Sequence, residues 1–353
     1  MPFWNRWESK NNPAFIHNLN KTQTKKHILL SALTVAFLGC NKTDKNEDFG
    51  KLSEDYLKGY LDWRPQLGVA LGLHEYDGKI ADYAKASIDA EITRLKDFDK
   101  KFSEIDSASL DTKEYYDWKL LRSNIKNELF SFEDLKVYNK NPMTYAGAID
   151  VNIYVKRNFA PIEQQIKSII AIENEAPKLY EAAKANLQDS LALPHIQLAI
   201  EIARGSASFL GKDLLVALKD VKNDSLMKAF NVANTKAIAA INDYADFLEK
   251  EKLSKAHNKY AIGKENYQKM LLYGEGITMS ADEILAIGMK ELQIEQAAFN
   301  AAAKIINPNK KPIDVYNDIQ KEHPTAESLI PDAKKNLEAI RQFLIDHKIV
   351  TMP

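Results

Sequence analysis

The stretch that decides the fold runs from Leu226 to Phe247 and reads LMKAFNVANTKAIAAINDYADF. Leu226, Phe230, Ala233, Ala237, Ala240, Tyr244 and Phe247 recur at alternating steps of four and three. That spacing places seven side chains on one face of an α-helix, whereas a strand would alternate by two. The same rhythm returns in Leu285, Met289, Leu292, Gln296, Phe299 and Ala303, and again in Ile330, Ala333, Leu337, Ile340 and Leu344. Helical periodicity begins near Asp55, and no convincing run of strand-like alternation interrupts it.

Boundary chemistry agrees. Ser280-Ala281-Asp282-Glu283 reads as a capping box before an apolar run. Pro161 and Pro194 suit first turns, where a missing amide is harmless. Pro177 interrupts a helical pattern from Ile162 to Leu187 and predicts a kink or break. Asn139-Lys140-Asn141-Pro142, Asn307 to Pro312 and His323-Pro324 read as loops. No fixed-period repeat points to a solenoid. The expected fold class is all-α: a large array of about eight to ten helices, many of them long, with no significant sheet.

Composition narrows the function. Of 353 residues, 45% are apolar and 27% charged, with only 13 Gly and 12 Pro, too few for a turn-rich β protein. Residues 1–39 hold five basic and one acidic residue, leaving 43 basic against 48 acidic in the remainder, a net charge of −5. No basic run with interleaved aromatics is present, so no nucleic-acid partner is expected.

Lys25-Lys26-His27 precedes a 12-residue apolar run, Ile28 to Gly39, too short to span a bilayer. A basic segment, a short apolar core and a small residue before the cut describe a secretory signal peptide over residues 1–39. The run closes on Phe37-Leu38-Gly39-Cys40, which resembles a bacterial lipoprotein signal, with Phe37 in place of the usual Leu. The segment ahead of the apolar run is long and carries Trp4, Trp7 and Phe15, and no Met other than Met1 precedes Cys40. Cys40, the chain's single cysteine, is the expected lipidation site, acylated as the mature N-terminus. Its membrane-lipid partner would hold the protein on the cell envelope, at its periplasmic or outer face. Residues 40–53 would be a polar tether and 54–353 the helical domain. One cysteine also excludes an internal disulfide.

Catalytic motifs are missing. The seven histidines include no His-Glu-x-x-His. His74-Glu75-Tyr76-Asp77 and the His323/Glu327 pair are the nearest approaches to a metal site, and Pro324 spoils the helix that would align the second. Gly205-Ser206-Ala207-Ser208 is no nucleophile elbow, and Gly274-Glu275-Gly276 no phosphate loop. Carboxylate pairs such as Asp97/Asp99 and Glu249/Glu251 read as solvated helix faces. Tyr115-Tyr116-Asp117-Trp118 reads as core with one satisfied acid. No catalytic residue, metal ligand or cofactor is therefore assigned.

Several stretches, in order, resemble the bacterial domain-of-unknown-function family 885. They are Gly72 to Asp77 with Asp82, Asp117 to Leu121, Asn141 to Tyr145, Ala176-Pro177-Lys178 with Asn186-Leu187, Ile262 to Tyr267, Ile287-Gly288 and Tyr316 to Pro331. The resemblance implies a helical, zinc-metallopeptidase-like lipoprotein whose metal motif lies in a C-terminal half with no counterpart here. Zinc and a peptide substrate are thus expected only for a full-length relative. On this reading the chain is an N-terminal shaping half, inactive alone, and the stripes from Leu285 to Ile306 and Ile330 to Leu344 present apolar surface that the other half covers. The apolar ending at Ile349, Val350 and Met352 fits a truncated chain. Two other readings stay open: a complete, non-enzymatic helical binding or scaffold lipoprotein, and a metal sensor built on His74 or His323.

Overall fold

The Leu226–Phe247 periodicity becomes one helix, Asp224–Phe247, in a computed structural model that describes residues 45–351. Helices of eight residues or more are α1 (Lys45–Trp63), α2 (Lys85–Ser103), α3 (Thr112–Leu129), α4 (Ile162–Asn174), α5 (Ala176–Asn186), α6 (Leu193–Gly211), α7 (Asp224–Phe247), α8 (Lys264–Glu275), α9 (Ala281–Ile306), α10 (Pro312–Ile319) and α11 (Leu329–Asp346). Shorter helical turns connect them. Among the described residues there is no sheet, only a single parallel bridge between Ala192 and His257. The fold is all-α.

Two apolar cores organise the chain. In the first, α1, α2 and α3 pack through Phe49, Tyr56, Leu95, Phe98, Phe102 and Ile125. Trp63 and Trp118 flank it, donating from their indole nitrogens to the Ser87 hydroxyl (3.2 Å) and the Phe102 carbonyl (2.8 Å). A buried ion network bolts the same three helices together. Arg64 reaches both Glu91 (2.8 Å) and Glu128, while Arg94 reaches Glu91 from the other side (2.6 Å). Residues 40–53 are thus not all tether. Phe49, Leu52 and Tyr56 share one helical face, and the burial of Phe49 beside Phe102 extends α1 back to Lys45.

The second core is built around α7, which packs on α4, α5 and α6. Phe230, Ala233, Ala237, Ile241, Tyr244 and Leu248 are buried. The alanines let neighbouring backbones approach closely. Buried Asn234 interrupts the stripe usefully: its amide donates to the Leu210 carbonyl at 3.1 Å, satisfying the C-terminal end of α6. An aromatic seam of Trp63, Tyr83, Phe132, Tyr138 and Tyr145 joins the two cores through ring contacts of 4.8–6.3 Å.

The boundary chemistry largely follows the sequence. Ser280 and Glu283 form the capping box. Pro177 marks a true break, since α4 ends at Asn174 and α5 restarts with Pro177 in its first turn. Pro194 also lies in a first turn, whereas Pro161 stands one place earlier, at the cap of α4. Asn139 and Lys140 are not loop but the end of a short helical turn, Val137–Lys140, entered through left-handed Lys136 (φ 54°). Tyr115 and Tyr116 face solvent, and only Trp118 of that cluster packs inward.

The C-terminal helices differ from the rest. α9 touches α8 near its start and α10 near its end, and Ala303 is its one buried residue. Among the described residues no element packs extensively on α11. Consequently Leu285, Met289 and Leu292 of α9 and Ile330, Leu337 and Ile340 of α11 all stand in solvent, Leu337 at 67% exposure.

Candidate functional site

A cleft of about 490 Å³ lies where chain segments remote in sequence converge. Two helices end beside it in a wider turn. The Leu135 amide bonds back five residues to Phe130 at the end of α3, and the Leu253 amide does the same to Leu248 after α7. Such π-turns displace the chain from the helix axis and occur often at functional sites. The first delivers Asp134 and Leu135 to the cleft; the second leads into the extended segment 256–263, which forms its opposite wall.

The floor is the Ala192–His257 bridge, made by Leu193 donating to the His257 carbonyl (2.8 Å) and His257 donating to the Leu191 carbonyl (3.0 Å). Two further bonds hold the rims: the Gln188 amide to the Asn139 carbonyl (2.9 Å) and the Ser190 hydroxyl to the Lys255 carbonyl (2.6 Å). Gly263, at φ 85°, turns the wall segment into α8 in a conformation that suits glycine. Into this frame project His195, His257, Lys140, Lys259 and the amides of Asn141, Gln188 and Asn266.

The charge balance is uneven. Asp134 is neutralised by Lys269 at 3.1 Å, and neighbouring Asp189 by Lys255 at 2.7 Å. Among the described residues neither Lys140 nor Lys259 has a carboxylate within ion-pair distance. The cleft therefore offers two uncompensated cations, two imidazoles and three side-chain amides.

The residues singled out from sequence go elsewhere. His74 lies in a short 3₁₀ turn, its Nδ1 3.1 Å from Asp77 and its ring stacked 4.4 Å from Phe159. His323 is exposed and donates to its own Pro324 carbonyl at 2.9 Å. Glu327 is held below the usual carboxylate range, chiefly by its own backbone amide and by Thr325. Among the described residues no three His, Cys, Asp or Glu side chains gather in metal-binding geometry, so they do not fit a catalytic zinc, which needs three convergent ligands. Cys40 lies outside the described residues.

One buried acid stands apart from the cleft. Glu173, on α4, is fully buried and neither carboxyl oxygen has a hydrogen-bond partner. Burial pushes its pKa up to about 8.

The family-like stretches explain part of the architecture. Asp82 pairs with Lys178 at 3.1 Å and accepts from the Ala84 amide, which, foremost, holds its carboxyl below the usual range. Asn186 donates to the Tyr83 carbonyl at 2.7 Å, and Asn139 to the Asn186 carbonyl at 3.0 Å. These are clamps between cores. Two other stretches, starting at Asn141 and Ile262, meet at the cleft.

A family described as "Bacterial protein of unknown function (DUF885)" matches residues 65–353, and the chain belongs to that family. Its fold is also similar to a solved structure described as "a putative lipoprotein of unknown function from Shewanella oneidensis", with a TM-score of 0.66 and 20% identity over 86% of this chain. At that identity the likeness is one of fold. The chain spans 58% of the length of that neighbour. No curated protein matches.

Proposed function

We propose that the described helices are the shaping and docking portion of an exported, lipid-anchored envelope protein of metallopeptidase-like descent. In that role they contribute no zinc ligand and do not cleave peptides by themselves. The observation that carries this reading is the solvent-facing apolar surface of α9 and α11. Amphipathic helices of 26 and 18 residues with bare apolar faces are built to be covered. The fold neighbour is longer, with this chain spanning 58% of its length, and additional chain of that kind would supply the cover.

The anchor rests on the Phe37-Leu38-Gly39-Cys40 signal and on the neighbour's description as a lipoprotein. No described helix is long and apolar enough to cross a membrane. In a bacterial host, the parent should sediment with membranes and Cys40→Ser should not. A variant that stays membrane-bound removes the anchor. Metal analysis tests the other half of the proposal. One tightly held zinc per chain, or peptide hydrolysis lost in His74→Ala or His323→Ala, refutes the shaping role.

The cleft favours a second reading, a complete non-enzymatic binding module. A purified chain that is monomeric and binds no apolar dye would support it over the first.

A further inference from the structure

We propose that the cleft between the Val137–Asn141 turn and segment 257–266 binds the carboxylate end of a short peptide-like ligand. This goes beyond the shaping role and stands whether or not Cys40 is acylated.

Three features of the cleft define its ligand. The first is size: about 490 Å³ lies within the roughly 300–1,000 Å³ typical of small-molecule sites. The second is charge. Lys140 and Lys259 approach from opposite walls, while the nearby carboxylates Asp134 and Asp189 are already paired. A lysine ammonium is a compact point charge with three donors, suited to one anionic group. An anion entering here meets two cations without displacing an existing ion pair.

The third feature is the mixture of amides and apolar side chains. Asn141, Gln188 and Asn266 bring amide groups, the complement of a peptide unit's C=O and N–H, with one N–H of Asn266 already given to the Ile262 carbonyl at 3.0 Å. Asn141 offers its donor from a fixed position, because its own Oδ1 accepts from the Met143 amide at 3.1 Å and leaves the NH₂ free to donate. Leu135, Val137 and Ile262 supply apolar wall for a side chain. A bare inorganic anion would use the lysines and leave the amides and the apolar wall idle. An acylated amino acid or peptide C-terminus uses all three.

The cleft is also held in shape before any ligand arrives. The two-bond bridge at His257, the Ser190–Lys255 bond and the Gln188–Asn139 bond fix both rims. Preorganised walls reduce the ordering cost of binding.

Calorimetric titration of the purified protein with N-acetyl-alanyl-leucine, its C-terminal amide and inorganic phosphate tests the assignment. The free acid should bind with Kd below about 1 mM. The amide and phosphate should each bind at least tenfold more weakly. The double variant Lys140→Gln/Lys259→Gln should lose at least tenfold in affinity for the acid at unchanged Tm. Both lysines are exposed, so the variant keeps its fold. Asn141→Ala, with the lysines intact, should weaken the acid but leave phosphate unchanged. Equal binding of acid and amide, phosphate binding as tight as the acid, full affinity in the lysine variant, or no binding of the acid would each overturn the proposal.

Discussion

Replacing Glu173 with glutamine should stabilise the protein increasingly as pH rises. The carboxyl is buried without a partner, and burial lifts its pKa from 4.5 to about 8. Below pH 4.5 the group is protonated whether the chain is folded or not, and its charge is irrelevant. Between pH 4.5 and 8 the unfolded chain releases the proton while the folded one keeps it. Folding then requires proton uptake, and stability falls by about 1.4 kcal/mol per pH unit. The loss is about 3 kcal/mol at pH 7 and levels off above pH 8. Glutamine has nearly the same shape and no charge to suppress. The stability difference between variant and parent should therefore widen by about 2.5 kcal/mol from pH 5 to pH 7, roughly 4 °C in Tm for a chain of this size. Thermal unfolding of both proteins across pH 5–8 measures it. A difference that stays constant across that range would show that Glu173 ionises normally, and the buried-acid reasoning would fail.

Arg64→Ala should cost about 3 kcal/mol, because Glu91 and Glu128 lose a shared partner inside the first core; urea unfolding reads this. Gly68→Ala should cost about 1–3 kcal/mol, since a methyl group there meets the ring of buried Tyr76, and a neutral result would mean that the ring moves freely. The double variant Leu337→Glu/Ile340→Glu should change stability by no more than about 0.5 kcal/mol while lowering apolar-dye binding. A cooperative loss of stability in that variant would show that α11 packs on the body.

Periodicity made the helices legible, and for a physical reason: one side of each must be apolar to meet a neighbour. It could not say whether the neighbour is there. The stripes at Leu226 and Leu285 read alike, yet the first is core and the second faces solvent. Local polarity misled at the front, where Lys45 to Ser53 looks like tether but Phe49 and Leu52 supply enough apolar face to start α1. It misled again at Asn139-Lys140, where a left-handed Lys136 permits a helical turn in a loop-like sequence. The cleft was not legible at all. Lys140, Gln188, His195, His257 and Asn266 are spread over more than a hundred residues, and what unites them is a pair of π-turns and a two-bond bridge that leave no sequence signature.

The placement of the indoles has a practical consequence. Residues 45–351 contain two tryptophans, Trp63 and Trp118, and both border the first core. Nothing from α4 to α11 carries one. Emission from these side chains therefore watches α1–α3 and the aromatic seam, and is blind to α9 and α11. Far-ultraviolet circular dichroism, in contrast, weighs every helix alike. If the bare C-terminal helices melt ahead of the cores, the dichroic signal will fall while the fluorescence stays native, and the gap between the two curves will measure how independently those helices stand.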